Sequence, residues 1–131
     1  RPMAQATMLA FNFAEERHAR LQWLCMRQRI RLQDVPAEQQ GQTLAALLGM
    51  AAQTDAQPAS PFAEEMLVLA GAAPQSMNAF LQAWRQARQA PVRLKAMLTP
   101  SNVTWTAESL HAELVREDEA MRMHEKSVHL K

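Results

Sequence analysis

The residues of this sequence that could carry out chemistry are four histidines, one cysteine and several neighbouring acids. The histidines are dispersed along the chain, at His18, His111, His124 and His129. No two of them stand four residues apart, the spacing that places two metal ligands on one side of a helix. A metal site also needs three or more ligands from different elements. Adjacent acids such as Glu64 and Glu65 point in different directions on a helix, which indicates solvated surface rather than an acid–base pair.

Glycine and cysteine usage also argues against an enzyme. Glycine occurs three times, so the chain has no glycine-rich loop that could hold a phosphate group. The sequence contains no G-x-S-x-G, Walker, H-E-x-x-H or C-x-x-C motif. The single cysteine, Cys25, cannot form an internal disulfide, and its place on an apolar helix face predicts a buried hydrophobic residue. We therefore predict a non-enzymatic protein without catalytic, cofactor-binding or metal-binding residues, in the reducing cytoplasm.

Basic residues are concentrated in two segments that contain no acid. Residues 17–31 contain five arginines, and residues 85–95 contain four basic residues. On a helix, spacings of three and four residues make a stripe along one side. The candidate face for nucleic acid or an acidic partner consists of Arg17, Arg20, Arg27, Arg31, Arg85, Arg88, Arg93 and Lys95. Because the formal net charge is +1, affinity for a polyanion would depend on whether these residues share one surface.

The last segment carries a coiled-coil-like seam. Its members follow spacings of three and four residues from Ala107 to Val128. The candidate self-association seam consists of Leu110, Leu114, Glu117, Met121 and His124. The seam packs either inside the monomer or against a second chain. In the second case an antiparallel arrangement is favoured, because it brings Glu117 of one chain close to His124 of the other.

The elements that must position these residues are predicted to be helices. Ala, Gln, Leu, Met, Arg and Glu dominate the composition, and β-branched residues are scarce. These features predict a single all-α domain, a bundle of about five helices with long first and last helices. The expected helices cover residues 13–32, 37–53 and 61–70, a segment between Pro74 and Pro91, and a segment beginning near Thr106.

The domain limits follow from the same pattern. We expect a helical domain over residues 13–126, with an N-terminal tail at 1–12 and a C-terminal tail at 127–131. Arg1 and Pro2, ahead of Met3, are interpreted as residues added to the natural chain. The segment of residues 13–32 organises this domain, because apolar residues occupy two opposite sides of it and predict two packing partners.

Charged helix surfaces without catalytic groups favour a small regulator or accessory subunit that acts through protein–protein contacts, with a protein partner, with a second copy of itself as a homodimer, or with both. The alternative is a nucleic-acid-binding subunit whose arginine-lined helix faces contact phosphates. Neither interpretation includes a membrane, since no apolar run approaches the length needed to span a bilayer. Neither includes a small-molecule substrate.

Overall fold

The computed structural model describes residues 5–129, which form a four-stranded mixed sheet with helices on both faces. The elements in chain order are β1 (Thr7–Phe11), α1 (Glu15–Arg27), β2 (Arg31–Asp34), a 3-10 helix (Ala37–Gln39), α2 (Leu44–Leu47), β3 (Met66–Ala70), α3 (Pro74–Gln86), β4 (Leu94–Met97) and α4 (Ala107–His129). The strand order is β2-β1-β3-β4. The outer strands run parallel to their neighbours, and the two central strands run antiparallel to each other.

The prediction of an all-α bundle of five helices is wrong, and Met66–Ala70 shows the reason. This apolar run, predicted as part of a buried helix, is the central strand β3, and every residue in it is buried. The strand pairs on both sides and is covered on both faces, so it lacks the apolar–polar alternation of a half-exposed strand. Without alternation, a short apolar run does not distinguish strand from buried helix.

The second central strand lies where an N-terminal tail was predicted. Residues 7–11 form β1, which pairs with β2 on one side and β3 on the other. At the other end of the chain, α4 runs to His129 and so includes the first residues of the predicted C-terminal tail. Arg1 and Pro2 lie outside the described residues, as do Leu130 and Lys131.

The first helix is shorter than its pattern predicts. It ends at Arg27, and the chain then turns through Arg29, whose φ is 58°, into β2. The helix has one core face, formed by Leu21, Leu24 and Cys25. Of the second apolar face, expected at Trp23, Met26 and Ile30, the first two residues are exposed, whereas Ile30 lies beyond the end of the helix and is buried. The predicted helix over 37–53 is likewise reduced to a 3-10 helix and the single turn α2.

The core consists of two layers, one on each face of the sheet. Along β1, Met8 and Ala10 point into the layer under α1 and α3, whereas Leu9 and Phe11 point into the layer under α2 and α4. These two surfaces of the sheet are called the α1/α3 face and the α2/α4 face below. None of the helices in the described part of the chain is long and apolar enough to cross a membrane.

Candidate interaction surfaces

The first part of α4 belongs to the body of the protein. Thr106 begins the helix, because its Oγ1 accepts a hydrogen bond from the backbone N–H of Ser109 at 3.1 Å. Leu110 is buried on the α2/α4 face, and Leu114 is half-buried against the same layer. Two members of the predicted self-association seam therefore pack within their own chain.

The remainder of α4 leaves the body. Among the described residues, the last hydrogen bond from α4 to another part of the chain is the one that Asp118 accepts from Arg93, and this bond lowers the pKa of the Asp118 carboxyl. Every side chain from residue 119 to residue 128 is exposed, including Met121 at 63%, Met123 at 68% and Val128 at 55%. We call residues 119–128 the projecting end of α4; at 1.5 Å per residue it extends for about three turns.

The other three seam members lie on the projecting end or just before it. Glu117, one turn before Met121, is exposed, and so is His124. The structure thus divides the predicted seam into an intramolecular half and an exposed half. Leu110 and Leu114 lie in the first, and the remaining three members, Glu117, Met121 and His124, lie in the second.

The predicted basic face is not continuous. Its first residue, Arg17, forms contacts with other elements of the fold. Its guanidinium donates hydrogen bonds to both carboxylate oxygens of Glu65, at 2.7 and 2.6 Å, and a third to the carbonyl oxygen of Ala90. The hydrogen bond to Glu65 raises the pKa of Arg17. The guanidinium carbon also lies 5.0 Å from the centre of the Trp84 ring. Arg17 therefore ties α1 to the start of β3 and the end of α3.

Three more residues of the predicted basic face, Arg31, Arg93 and Lys95, also do not belong to a common surface. Arg31 belongs to β2, where it alternates with Leu32; because Leu32 packs on the α1/α3 face, Arg31 points to the other side of the sheet. Arg93 is paired with Asp118. Lys95 donates a hydrogen bond to the carbonyl oxygen of Val92 at 2.9 Å.

The other two residues of the second basic segment, Arg85 and Arg88, lie apart from those of the first segment. Arg85 borders a cavity with Pro91 and Lys95, on the side of α3 that faces β4. Arg88 follows the end of α3 and is exposed, with a φ of 62°. The eight predicted residues therefore do not form one surface.

A smaller cationic surface remains on α1. Trp23 is 44% exposed, and the guanidinium carbon of Arg27 lies 4.9 Å from the centre of its ring. Arg20, one turn earlier, is exposed. Within residues 5–129 neither arginine forms an ion pair. We call Arg20, Trp23 and Arg27 the Trp23 surface; beside it, a groove of about 370 Å³ separates α1 from Gln86 and its neighbours on α3.

Sequence reasoning missed the exposure of Trp23, which it assigned to a packing face. A signal was present in the arginines at three residues before and four residues after it, since these positions lie on the same side of a helix.

Two of the four histidines, His18 and His111, join neighbouring elements. The His18 Nε2 atom lies 2.8 and 2.9 Å from the two carboxylate oxygens of Asp34, joining α1 to β2. The His111 Nε2 atom lies 2.7 Å from Glu64, and its ring stacks on Phe62 with 4.0 Å between ring centres. Among the described residues no group of three His, Cys, Asp or Glu side chains could hold a metal ion.

Cys25 is 1% exposed within the layer under α1 and α3. Burial raises the pKa of its thiol to about 12, and the nearby negative charge of Asp34 acts in the same direction. The thiol is therefore protonated at neutral pH, in the form that is a poor nucleophile and a poor metal ligand.

Comparison with known proteins gives one partial match. A family model described as a domain of unknown function, DUF3783, matches residues 65–121. These residues run from β3 through α3 and β4 into α4, and they are fewer than half of the 131 in the chain. No curated protein and no solved structure gives a significant match. Since the family description states no activity, the exposed surfaces are the basis for a functional proposal.

Proposed function

We propose that this protein is a small, non-enzymatic regulator or accessory subunit that acts through protein–protein contacts, with a second copy of itself as a partner. The projecting end of α4 carries the proposal, because its apolar side chains, Met121 among them, are covered by nothing in the described chain. An isolated helix of about three turns is only marginally stable in water, so pairing would stabilise it. A cytoplasmic location is part of the proposal, since a reducing compartment keeps a free thiol such as Cys25 reduced.

The charges on this segment favour one orientation of the pair. A parallel arrangement in register would set Glu117 against Glu117 and His124 against His124, and like charges at such positions repel each other. An antiparallel arrangement brings Glu117 of one copy near His124 of the other, with Met121 close to the centre. The short segment buries little area, so we expect weak association, in the range of transient complexes.

Replacing Met121 with Glu is expected to weaken the self-association, because it places a charge at the centre of the contact. Light scattering at high protein concentration, at about pH 8 and about pH 6, measures the mass. We expect the dimer fraction to rise at the lower pH, because a protonated histidine attracts the Glu117 carboxylate of the other copy.

A matched control is Met123→Glu. Met123 is as exposed as Met121 but lies about 200° away around the helix, so its substitution should leave the mass unchanged. A monomeric mass at every pH and concentration would contradict the proposed self-association. A dimer that dissociates in mild acid would refute the pairing of Glu117 with His124.

A second candidate function is binding of single-stranded nucleic acid at the Trp23 surface. An exposed tryptophan provides a stacking surface for a base, and the neighbouring cations Arg20 and Arg27 provide phosphate contacts. This arrangement is a reduced form of the arginine-lined face expected from the sequence.

If this second function is correct, the double substitution Arg20→Ala and Arg27→Ala should weaken binding to a single-stranded oligonucleotide and reduce its salt dependence. Each lost phosphate contact lowers the log–log slope by about 0.7. Fluorescence anisotropy over a series of salt concentrations measures the slope. Arg85→Ala, an exposed arginine on the far side of α3, is the control and should leave both quantities unchanged. Absence of binding by the wild-type protein at low salt would exclude the function.

A further inference from the structure

The two halves of the molecule repeat one order of elements. Residues 7–48, here unit one, contain β1, α1, β2 and α2; residues 66–111, here unit two, contain β3, α3, β4 and the first turn of α4. The corresponding elements have equal lengths: 5 residues in β1 and β3, 13 in α1 and α3, and 4 in β2 and β4. Both helices lie on the same face of the sheet.

Within residues 5–129 the backbone repeats at four of its five positions with positive φ; the fifth, Gly49, follows α2, whereas α4 continues past the corresponding point. Asn12 and Gly71 have φ of 66° and 73° and follow the two central strands, while Arg29 and Arg88 have φ of 58° and 62° and follow the two helices. The same step of 59 residues relates both pairs. Since left-handed backbone is uncommon outside glycine, its recurrence at matching places indicates the same local structure.

The second helix of each unit begins in the same way. The Thr43 Oγ1 atom accepts a hydrogen bond from the backbone N–H of Ala46 at 3.0 Å, as Thr106 does from Ser109 at 3.1 Å. Here the step is 63 residues, because the connection between α3 and β4 is longer than the connection between α1 and β2.

The units meet as the two subunits of a twofold dimer would. In the central strand pair Leu9 faces Val68, its own counterpart, and Thr43 forms a bridge with its counterpart Thr106. The backbone hydrogen bonds beside this bridge are also reciprocal. The N–H of Leu44 donates to Trp105 at 2.9 Å, and the N–H of Ala107, the counterpart of Leu44, donates to Gln42, the counterpart of Trp105, at 3.0 Å. Such exchange of equivalent contacts defines an isologous interface.

The side chains of the two units differ, although the order and lengths of their elements agree. At equivalent positions the core holds Leu21 in unit one and Phe80 in unit two, and likewise Cys25 and Trp84. The family model matches unit two and not unit one, as expected when the side chains differ to this extent.

We propose that units one and two are copies of one structural unit, and that the surface between them accepts the matching unit of a second copy of this chain. Because the two units are copies, the interface between them is self-complementary. The linker at residues 49–65 is exposed from Gly49 to Pro61, apart from the half-buried Pro58, so it offers a hinge for exchange. The product is a dimer in which unit one of one copy pairs with unit two of the other.

Complementation between full-length variants tests this proposal. Leu21→Asp disables unit one and Phe80→Asp disables unit two, because each places a carboxylate at a fully buried position. All variants also carry Met121→Glu, which removes pairing through α4. Each variant is expected to be unfolded alone, and the two are then refolded together from urea.

The expected result is a folded species of about twice 14.7 kDa that contains one copy of each variant. Its near-ultraviolet circular dichroism per chain should be about half that of the wild type, because only one of its two bodies is intact. A mixture of Leu21→Asp with Leu47→Asp, both in unit one, should stay unfolded.

A second pair, Leu47→Asp with Leu110→Asp, repeats the test from the α2/α4 face, where these counterparts are buried. The proposal is overturned if both complementary mixtures stay unfolded while the parent chain, carrying Met121→Glu alone, refolds under the same conditions. That result would leave the proposed α4 contact unaffected.

Discussion

Replacing Trp84 with Ala is expected to lower the free energy of unfolding by about 3–5 kcal/mol, the range for removing a large aromatic side chain from a core. Trp84 is 2% exposed, and its indole N–H donates to the carbonyl oxygen of Ala90 at 2.9 Å. Its ring lies edge-on to Phe13 and stacks on Phe80, while Arg17 lies over it. The substitution therefore leaves a cavity and removes one hydrogen bond.

The molecule supplies its own control, a second tryptophan on the neighbouring helix. Trp23→Ala removes an exposed ring whose main contact is Arg27, so it should cost about 0.5–1 kcal/mol, the range of an exposed cation–π contact. Urea unfolding followed by far-ultraviolet circular dichroism measures both variants. Equal losses would contradict the assignment of Trp84 to the core and Trp23 to the surface.

Of the structure around these two tryptophans, the helix α3 could be predicted from the sequence. Pro74 marks its first residue, as expected, and the predicted apolar face with Phe80 and Trp84 is buried. The start of α4 at Thr106 was also predictable, because a threonine followed by an acid in the first turn is a local signal. Helices of this kind are specified by residues close in sequence.

The strands could not be found in this way. The edge strands, RLQD in β2 and LKAM in β4, have four residues each and no β-branched side chain. They are strands because Met8 and its neighbours in β1 pair with the first, and Leu67 and its neighbours in β3 pair with the second. That pairing depends on tertiary contacts that single-sequence propensity does not contain.

The contacts of the basic residues could not be predicted for the same reason, because they also depend on residues distant in sequence. The acid that neutralises Arg17 is Glu65, 48 residues away, and the acid that pairs with Arg93 is Asp118, 25 residues away. Spacing along a helix predicted the stripe but not these partners. The exposed seam residues around Met121 are a different case. Their environment depends on α4 itself, which runs beyond the sheet at that point.

The end of the linker at Phe62 is held by a buried glutamine, Gln40, whose loss should be costly. Gln40 is 0% exposed; its side-chain N–H donates to the carbonyl oxygen of Phe62 at 3.0 Å, and its oxygen accepts from the N–H of Phe62 at 2.8 Å. The amide thus satisfies both backbone groups of a buried residue, much as a neighbouring strand would. Phe62 in turn packs on Phe11 and His111, from units one and two.

Gln40→Ala is therefore expected to lower the free energy of unfolding by about 2–6 kcal/mol, because it leaves the N–H and the carbonyl of Phe62 without a partner and each such buried group costs about 1–3 kcal/mol. Gln39→Ala, at a neighbouring half-buried position, is the control and should cost less than about 1 kcal/mol. Urea unfolding compares the two variants. Limited proteolysis should also cut Gln40→Ala faster within residues 49–65, because the end of that linker is no longer held against both units. Similar unfolding free energies and cleavage rates for the two variants would show that Phe62 is held by its aromatic contacts alone.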